Sequence, residues 1–242
     1  MTILKFKKYF LNFCGAILIS IIISLISSIV VSYEFIGSFF KKQFISTSVI
    51  LVTGIIVALL LVKAYNDEIK KTPFRRLTLE SFTKYDKKYI KLIMILGLIS
   101  IVISIIMIFF NDRVIHAYDS QATDINWNLV SGFMVIPFIE ELLIRGIFFN
   151  IAYDFLDMEN NIVIKIAIVV NIIMFMFLHY IHINFQSHAF ILSLLVAFSP
   201  RLAIGISLTY IYMKTKDIKY NIILHTMYNF VLILCDCLYR SI

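Results

Sequence analysis

The sequence predicts an all-α protein, a polytopic bundle of about seven transmembrane helices. Of its 242 residues, 61% are hydrophobic and 15% are charged, and the mean hydropathy is +0.93. A soluble domain carries about 25% charged and about 45–50% apolar residues, so this much apolar surface calls for lipid as the surrounding solvent. Only 7 glycines and 3 prolines occur, which argues against a flexible linker or a sheet with many turns.

Seven apolar segments predict the helices. Each is near or above the ~20 residues that cross a bilayer as a helix, and none shows the strict alternation of a barrel strand. In the sixth segment Ser199-Pro200-Arg201 interrupts the apolar run, so the segment is either one kinked helix or two half-helices, with eight helices in the second case. The segments are approximately 9–32, 44–64, 91–110, 127–151, 162–181, 189–213 and 221–238.

The basic residues predict the orientation of these helices. Sixteen lysines and arginines fall on one side of the membrane and four on the other, so the N-terminus is expected in the cytoplasm. Nine of the sixteen lie in residues 63–91, a loop expected to rest on anionic lipid headgroups. The net charge of +7 therefore indicates topology and not nucleic-acid binding. Cys14, Cys235 and Cys237 make no disulfide framework.

Ionisable and strongly polar side chains inside the apolar segments are the candidate functional residues. Each ionisable group costs about 2.5–3.5 kcal/mol to insert and is therefore a functional candidate by default. Ion pairs or polar contacts that merely fix helix packing are the alternative reading. The candidates are Glu140, Glu141 and Arg145 in segment four, His179 at the end of segment five, and His225 and Asn229 in segment seven.

Spacing separates the two glutamates. Glu141 and Arg145 are four residues apart with the acid first, the preferred order for an ion pair within a helix. Glu140 points about 100° away, given 3.6 residues per turn, and has no cation nearby in the sequence. We therefore expect Glu140 to be the unpaired carboxylate and the general base, although the two glutamates exchanging roles stays an alternative.

Residue counts along the helices predict the depth of each candidate. Glu140 lies 19 to 20 residues before the middle of the polar link at 157–161, and His179 lies as far after it, so the two should meet at one height. By the same count, His225 lies nearer the cytoplasmic loop than Glu140 does. Either segment four extends into the cytoplasm or segment seven begins inside a cavity, and both options give a cavity that opens towards the cytoplasm.

Together the motifs resemble one family. Glu140-Glu141 with Arg145, then Phe175-x-x-x-His179, then His225-x-x-x-Asn229 follow in this order on successive helices. This pattern, over about 127–235, resembles the CPBP family of intramembrane proteases, which includes CAAX prenyl endopeptidases and Abi-type bacteriocin-processing and immunity proteins. Lys216 stands where a glycine is more usual in that family.

The resemblance implies a role for each motif residue. Glu140 and His179 would activate water, Asn229 with His225 would donate hydrogen bonds to the oxyanion, and Glu141 and Arg145 would hold the base in place. We expect residues 1–242 to form a single membrane domain, with N-terminal helices over 1–126 and a CPBP-like catalytic core over 127–238.

The sequence thus predicts a CAAX-type, glutamate-dependent intramembrane endopeptidase that cleaves a membrane-presented peptide or protein. The abundance of Ile, Lys and Asn looks bacterial and suggests a multi-pass plasma-membrane protein, for which pheromone or bacteriocin processing fits better than a literal CAAX substrate. No cofactor is required. Two histidines and a glutamate binding a divalent metal such as zinc stays an alternative. The rival functions are a non-catalytic immunity or scaffold protein of the same fold, and a small-solute transporter with Glu140 as proton relay.

Overall fold

The computed structural model describes residues 39–69, 72–78, 80–110, 135–155, 160–177 and 190–240. Over these ranges the chain contains helices and their connections and no strand, so the predicted all-α class is confirmed. The predicted first segment, 9–32, lies outside the described residues, and a total of seven helices therefore stays a prediction.

Six of the seven predicted segments correspond to helices. A π-helical segment, Leu142–Phe148, joins Ile136–Glu141 to Phe149–Phe155 without a break, so that 136–155 is one continuous helical element. A 3₁₀ turn, Glu80–Thr83, precedes the helix that begins at Lys87. The helices are α1 Phe39–Glu68, α2 Lys87–Phe110, α3 Ile136–Glu141, α4 Phe149–Phe155, α5 Asn161–Phe177, α6 Phe190–Thr215 and α7 Ile218–Arg240.

Pro200 lies inside α6, which is one helix. The alternative of two half-helices, and with it an eighth helix at this point, is therefore wrong. A proline inside a helix leaves a carbonyl without its backbone donor, and neighbouring hydroxyl groups help membrane helices to tolerate this. The Ser199 hydroxyl donates to the carbonyl oxygen of Leu195 at 2.6 Å, one residue before the carbonyl that Pro200 leaves without a donor.

The outer faces of the helices carry many exposed apolar side chains, and a charged pair lies in the interior among apolar core residues. Residues Lys87–Phe110 and Ile218–Cys235 are each long and apolar enough to cross a membrane. Large apolar side chains such as Leu59, Leu98 and Ile166 are exposed on the outer faces of the helices, while Glu141 and Arg145 are buried between them. This distribution suits a lipid exterior, where charged groups face the interior of the bundle.

Small and hydroxyl-bearing residues bring α2 onto α6 and α7. The hydroxyl oxygens of Ser100 and Ser207 are 3.0 Å apart, and those of Ser104 and Tyr228 are 2.6 Å apart. A Cβ on Gly97 would lie 3.2 Å from a methyl carbon of Leu224. Hydrogen bonds and close backbone approach are the usual basis of helix association in membranes, and here they fix the helix that carries His225.

The α1–α2 linker, described over 72–78 and 80–86, is docked against the end of α6. The Tyr65 hydroxyl donates to the Arg75 carbonyl at 2.7 Å, and the Arg75 N–H donates to the Lys216 carbonyl at 2.8 Å. Phe74 is buried and stacks on Tyr212, with ring centroids 4.5 Å apart. The first half of the linker is thus part of the protein core.

The second half of the linker covers the beginning of α7. The Lys219 ammonium donates to the carbonyl oxygens of Ser81 and Lys84 at 2.7 and 2.6 Å, and the Asp86 N–H donates to the Tyr220 hydroxyl at 2.9 Å. Among the described residues, the predicted contact with anionic lipid headgroups therefore falls to the exposed basic side chains of this region. They are Lys63, Arg75, Arg76, Lys84, Lys87, Lys88 and Lys91.

Only Lys216 and Asp217 connect α6 to α7. Lys216 has a φ of 55°, in the left-handed region where glycine is most easily accommodated. This geometry explains why a glycine is more usual here in the family that the sequence resembles.

Candidate active site

The centre of the bundle contains the predicted ion pair. Arg145 Nη1 lies 2.9 Å from Glu141 Oε1, and neither side chain is exposed. The guanidinium carbon also lies 4.3 Å from the centroid of the Phe175 ring, and Nη2 is 3.4 Å from the carbonyl oxygen of Gly205. A buried pair is more stable when its other hydrogen-bonding groups are also satisfied. Gly205 on α6 provides one further acceptor and Phe175 on α5 faces the guanidinium, whereas Arg145 Nε has no hydrogen-bond partner among the described residues.

A π-helical turn carries Arg145. In Leu142–Phe148 the Phe149 N–H donates to Ile144 O, five residues earlier, instead of to the carbonyl four residues earlier. Asn171 donates to the same Ile144 oxygen at 2.9 Å, and Asn150 donates to the carbonyls of Arg145 and Gly146. Side-chain amides therefore support the distorted turn. The sequence predicted a regular helix here, and π turns are frequent at functional sites.

His225 lies between the two glutamates. Its Nδ1 is 3.0 Å from Glu141 Oε1, and its Nε2 is 3.7 Å from Glu140 Oε2. The prediction that Glu140 is the unpaired carboxylate is therefore wrong, because its partner comes from α7, which is distant in the sequence. Glu140 differs from its neighbour in access, since its side chain is 19% exposed and that of Glu141 is 0% exposed.

The same distances resolve the predicted mismatch in depth. Glu140 and His225 lie at one height, although residue counting made His225 shallower. The reason is that α7 begins inside the protein: Ile218, Lys219 and Asn221 are buried, and the α1–α2 linker covers this end of the helix. Segment seven therefore begins within the protein, while the predicted cavity open to the cytoplasm stays a prediction.

Comparison with known families identifies this half of the chain. Residues 122–231, just under half of the sequence, match the family model of the type II CAAX prenyl endopeptidase Rce1-like proteins. The match contains both glutamates, Arg145, His225 and Asn229. Residues 122–231 are an Rce1-like domain. The predicted CPBP family of intramembrane proteases is thereby confirmed, and with it the general class of a membrane-embedded CAAX-type protease. No curated protein and no solved structure shows a significant match.

One residue of the Rce1-like domain was missed by the sequence analysis. Asn221 is buried, and its side-chain Nδ2 donates to Glu141 Oε2 at 3.1 Å and to the carbonyl oxygen of Leu208 at 2.7 Å. Asn221, His225 and Asn229 recur every four residues and therefore share one face of α7. Extending the His225–Asn229 spacing by one step towards the N-terminus would have found Asn221.

Two predicted residues of the Rce1-like domain are less completely described. Asn229 is half-buried, one turn after His225 on α7. His179 lies outside the described residues, so its meeting with Glu140 stays a prediction.

The metal alternative can be tested against the donors in place. Within the described ranges no group of three His, Cys, Asp or Glu side chains is placed to hold a metal ion. Glu141 Oε1 already faces the Arg145 guanidinium and the His225 ring, which makes it a poor ligand for a further cation. Only Glu140 and His225 Nε2 face each other across a short gap. A zinc site would need a third ligand from outside the described residues, and it stays a prediction.

Proposed function

We propose that the protein is an intramembrane endopeptidase that hydrolyses a peptide bond in a peptide or protein presented at the membrane. The observation that supports this most strongly is the placing of Glu140 and His225 beside the buried Glu141–Arg145 pair, within an Rce1-like domain. A carboxylate with some access beside an oriented imidazole is a suitable arrangement for general acid–base catalysis.

Glu140 is the proposed general base, assisted by His179. Glu140 takes a proton from a water molecule, whose oxygen attacks the carbonyl carbon of the scissile bond. The tetrahedral intermediate then collapses, the C–N bond breaks, and the proton on Glu140 passes to the leaving amine. Glu140 suits this role better than Glu141, because Glu141 is fully buried and in contact with Arg145.

His225 and Asn229 are the proposed oxyanion donors. Because His225 Nδ1 faces Glu141 Oε1, the ring orientation is fixed by a carboxylate, as in other carboxylate–histidine pairs. Donation from Nε2 then requires hydrogens on both ring nitrogens. In that state two carboxylates face one guanidinium and one imidazolium, so the cluster is electrically neutral. Asn229 would add an uncharged donor one turn further along α7.

The protein is further proposed to be multi-pass, with its N-terminus in the cytoplasm and the basic side chains of the α1–α2 linker on anionic lipid. Sixteen basic residues against four support the orientation. The proposed physiological role is maturation of a peptide pheromone or bacteriocin, and self-immunity through the same fold is its alternative.

Because the substrate is not known, the test measures the N-termini of all proteins in cell membranes. Membranes that contain wild type, Glu140→Gln, His225→Ala or the control Glu80→Gln are compared at matched expression. Glu80 is an exposed partner of Lys84, so its change should be neutral. We expect new N-termini in wild type and control that fall on the order of 10²-fold or more in both site variants. Equal cleavage in all four would overturn the proposal and favour a binding or immunity protein.

A further inference from the structure

Asn221 joins three helices at the centre of the candidate site. It lies on α7, and its two N–H groups reach Glu141 Oε2 on α3, at 3.1 Å, and the carbonyl oxygen of Leu208 on α6, at 2.7 Å. Its side chain is fully buried. A buried amide that binds two acceptors on two other helices has little freedom to rotate.

These contacts fix which way the amide faces. Rotation by 180° would turn the Asn221 carbonyl oxygen towards a carboxylate oxygen and a backbone carbonyl oxygen, which are both acceptors, so the two N–H bonds would be replaced by repulsion. Among the described residues Oδ1 has no hydrogen-bond partner. The contribution of Asn221 therefore rests on its donors.

Three donors bind the two carboxylate oxygens of Glu141. Oε1 is 2.9 Å from Arg145 Nη1 and 3.0 Å from His225 Nδ1, while Oε2 is held by Asn221. A carboxylate held at both oxygens cannot turn about its terminal bond without losing a hydrogen bond. Because Oε1 is the atom that orients the His225 ring, its position depends on the bond at Oε2.

We propose that Asn221 is a positioning residue of this site, which holds the Glu141 carboxylate so that His225 keeps its Nδ1 on Glu141 and presents its Nε2 towards Glu140. The proposal rests on the proposed function for its effect on catalysis, but its structural half concerns only the orientation of the His225 ring. Asn221 does not touch the reacting atoms; it acts through Glu141 and His225.

The test replaces Asn221 by leucine, which keeps the volume and removes both donors, and by serine, which is smaller and serves if the leucine variant does not insert. The control is Asn66→Leu. Asn66 is a half-buried amide whose bonds go to the backbone of Leu77 in the α1–α2 linker, rather than to the Glu141–Arg145 pair or to His225. The protein is labelled with ¹⁵N-histidine in lipid nanodiscs, and His225→Gln assigns the signal of His225 among the five histidines.

We expect the ¹⁵N signals of the His225 ring to shift in both Asn221 variants and to stay in place in Asn66→Leu. The rate of terminus formation should fall on the order of 10–100-fold in the Asn221 variants, as misplacement of a catalytic group by about 1 Å does. An unchanged His225 spectrum would overturn the proposal, and so would an equal shift in Asn66→Leu, since the effect would then be general loosening. Undiminished cleavage by Glu140→Gln would instead overturn the proposed function, and the spectrum still decides the role of Asn221.

Discussion

Glu140 and Glu141 are adjacent on one helix turn but have different surroundings. Glu141 faces inwards and is enclosed by Arg145, Asn221 and His225, whereas Glu140 retains some exposure beside His225 Nε2. The 100° step between neighbours on a helix is sufficient for this division. It gives a structural basis for assigning the buried carboxylate to orientation and the accessible one to proton transfer.

At the same scale, the backbone of Lys216 is strained. Its φ of 55° costs about 1 kcal/mol for any residue with a Cβ. Its ammonium lies 4.9 Å from the centroid of the Phe74 ring, a contact that offsets part of this cost. Burial lowers the pKa of the Lys216 ammonium below its ordinary value.

Lys216→Gly and Lys216→Ala separate the backbone cost from the side-chain contacts. Both variants remove the ammonium and differ in whether residue 216 has a Cβ. Because a Cβ is disfavoured at this φ, the glycine variant should be more stable than the alanine variant by about 1 kcal/mol. Thermal unfolding in detergent measures the difference. The lowered pKa means that the unfolded chain binds more protons, so the free energy of unfolding of wild type should rise with pH approaching 10.5. The rise should be smaller in both variants. Equal melting temperatures for glycine and alanine would contradict the strain.

Among the elements, the sequence predicted the helices well and the π turn not at all. Length and hydropathy determine where a membrane helix lies, and the Glu141–Arg145 spacing follows from helix geometry, so both could be predicted. Apart from Gly146, Leu142–Phe148 contains ordinary helix-forming residues. The acceptors of its unusual turn are satisfied by Asn171 from α5 and by Asn150 one turn further along the same helix. His225 beside both glutamates was likewise a tertiary contact between distant helices.

Gly146 lies where the π turn packs closely against α1 and α7. A Cβ there would lie 3.0 Å from Tyr65 Cδ2 and 3.2 Å from Ile218 Cδ1. Gly146→Ala should therefore lower the free energy of unfolding by about 1–3 kcal/mol, through overpacking.

Ile218→Val tests the cause, because valine lacks the Cδ1 that the new methyl group would meet. The double variant Gly146→Ala/Ile218→Val should be less destabilised than the sum of the two single changes, by thermal unfolding of all four proteins. Strict additivity would show that this contact does not limit the space at Gly146.

On the scale of the whole molecule, the matched family domain is packed against the N-terminal helices and the linker. The match covers 122–231, but α1, the α1–α2 linker and α2 pack directly on it, through Phe74 on Tyr212 and Ser104 on Tyr228. Sequence comparison recognises the part that carries the motifs. Residues outside the family match also pack around the site.

Phe74→Ala should release the linker. Loss of this buried ring costs about 3 kcal/mol of local packing, so trypsin should cleave after Arg75 and Arg76 several-fold faster than in wild type. The control is Leu98→Ala, whose side chain is exposed on α2. Cleavage is compared on inside-out and right-side-out vesicles. Cleavage confined to inside-out vesicles is expected from a cytoplasmic linker, and the reverse pattern would refute the predicted orientation.

The docking of the linker uses its main chain almost throughout. Tyr65 and Asn66 bond the backbone of Arg75 and Leu77, and Lys219 bonds the carbonyls of Ser81 and Lys84. Groups that every amino acid carries therefore hold its path, apart from the buried Phe74 and Leu77. The outward side chains are left free to diverge during evolution. The surface that the linker presents is in this way independent of the buried ion pair and its histidine.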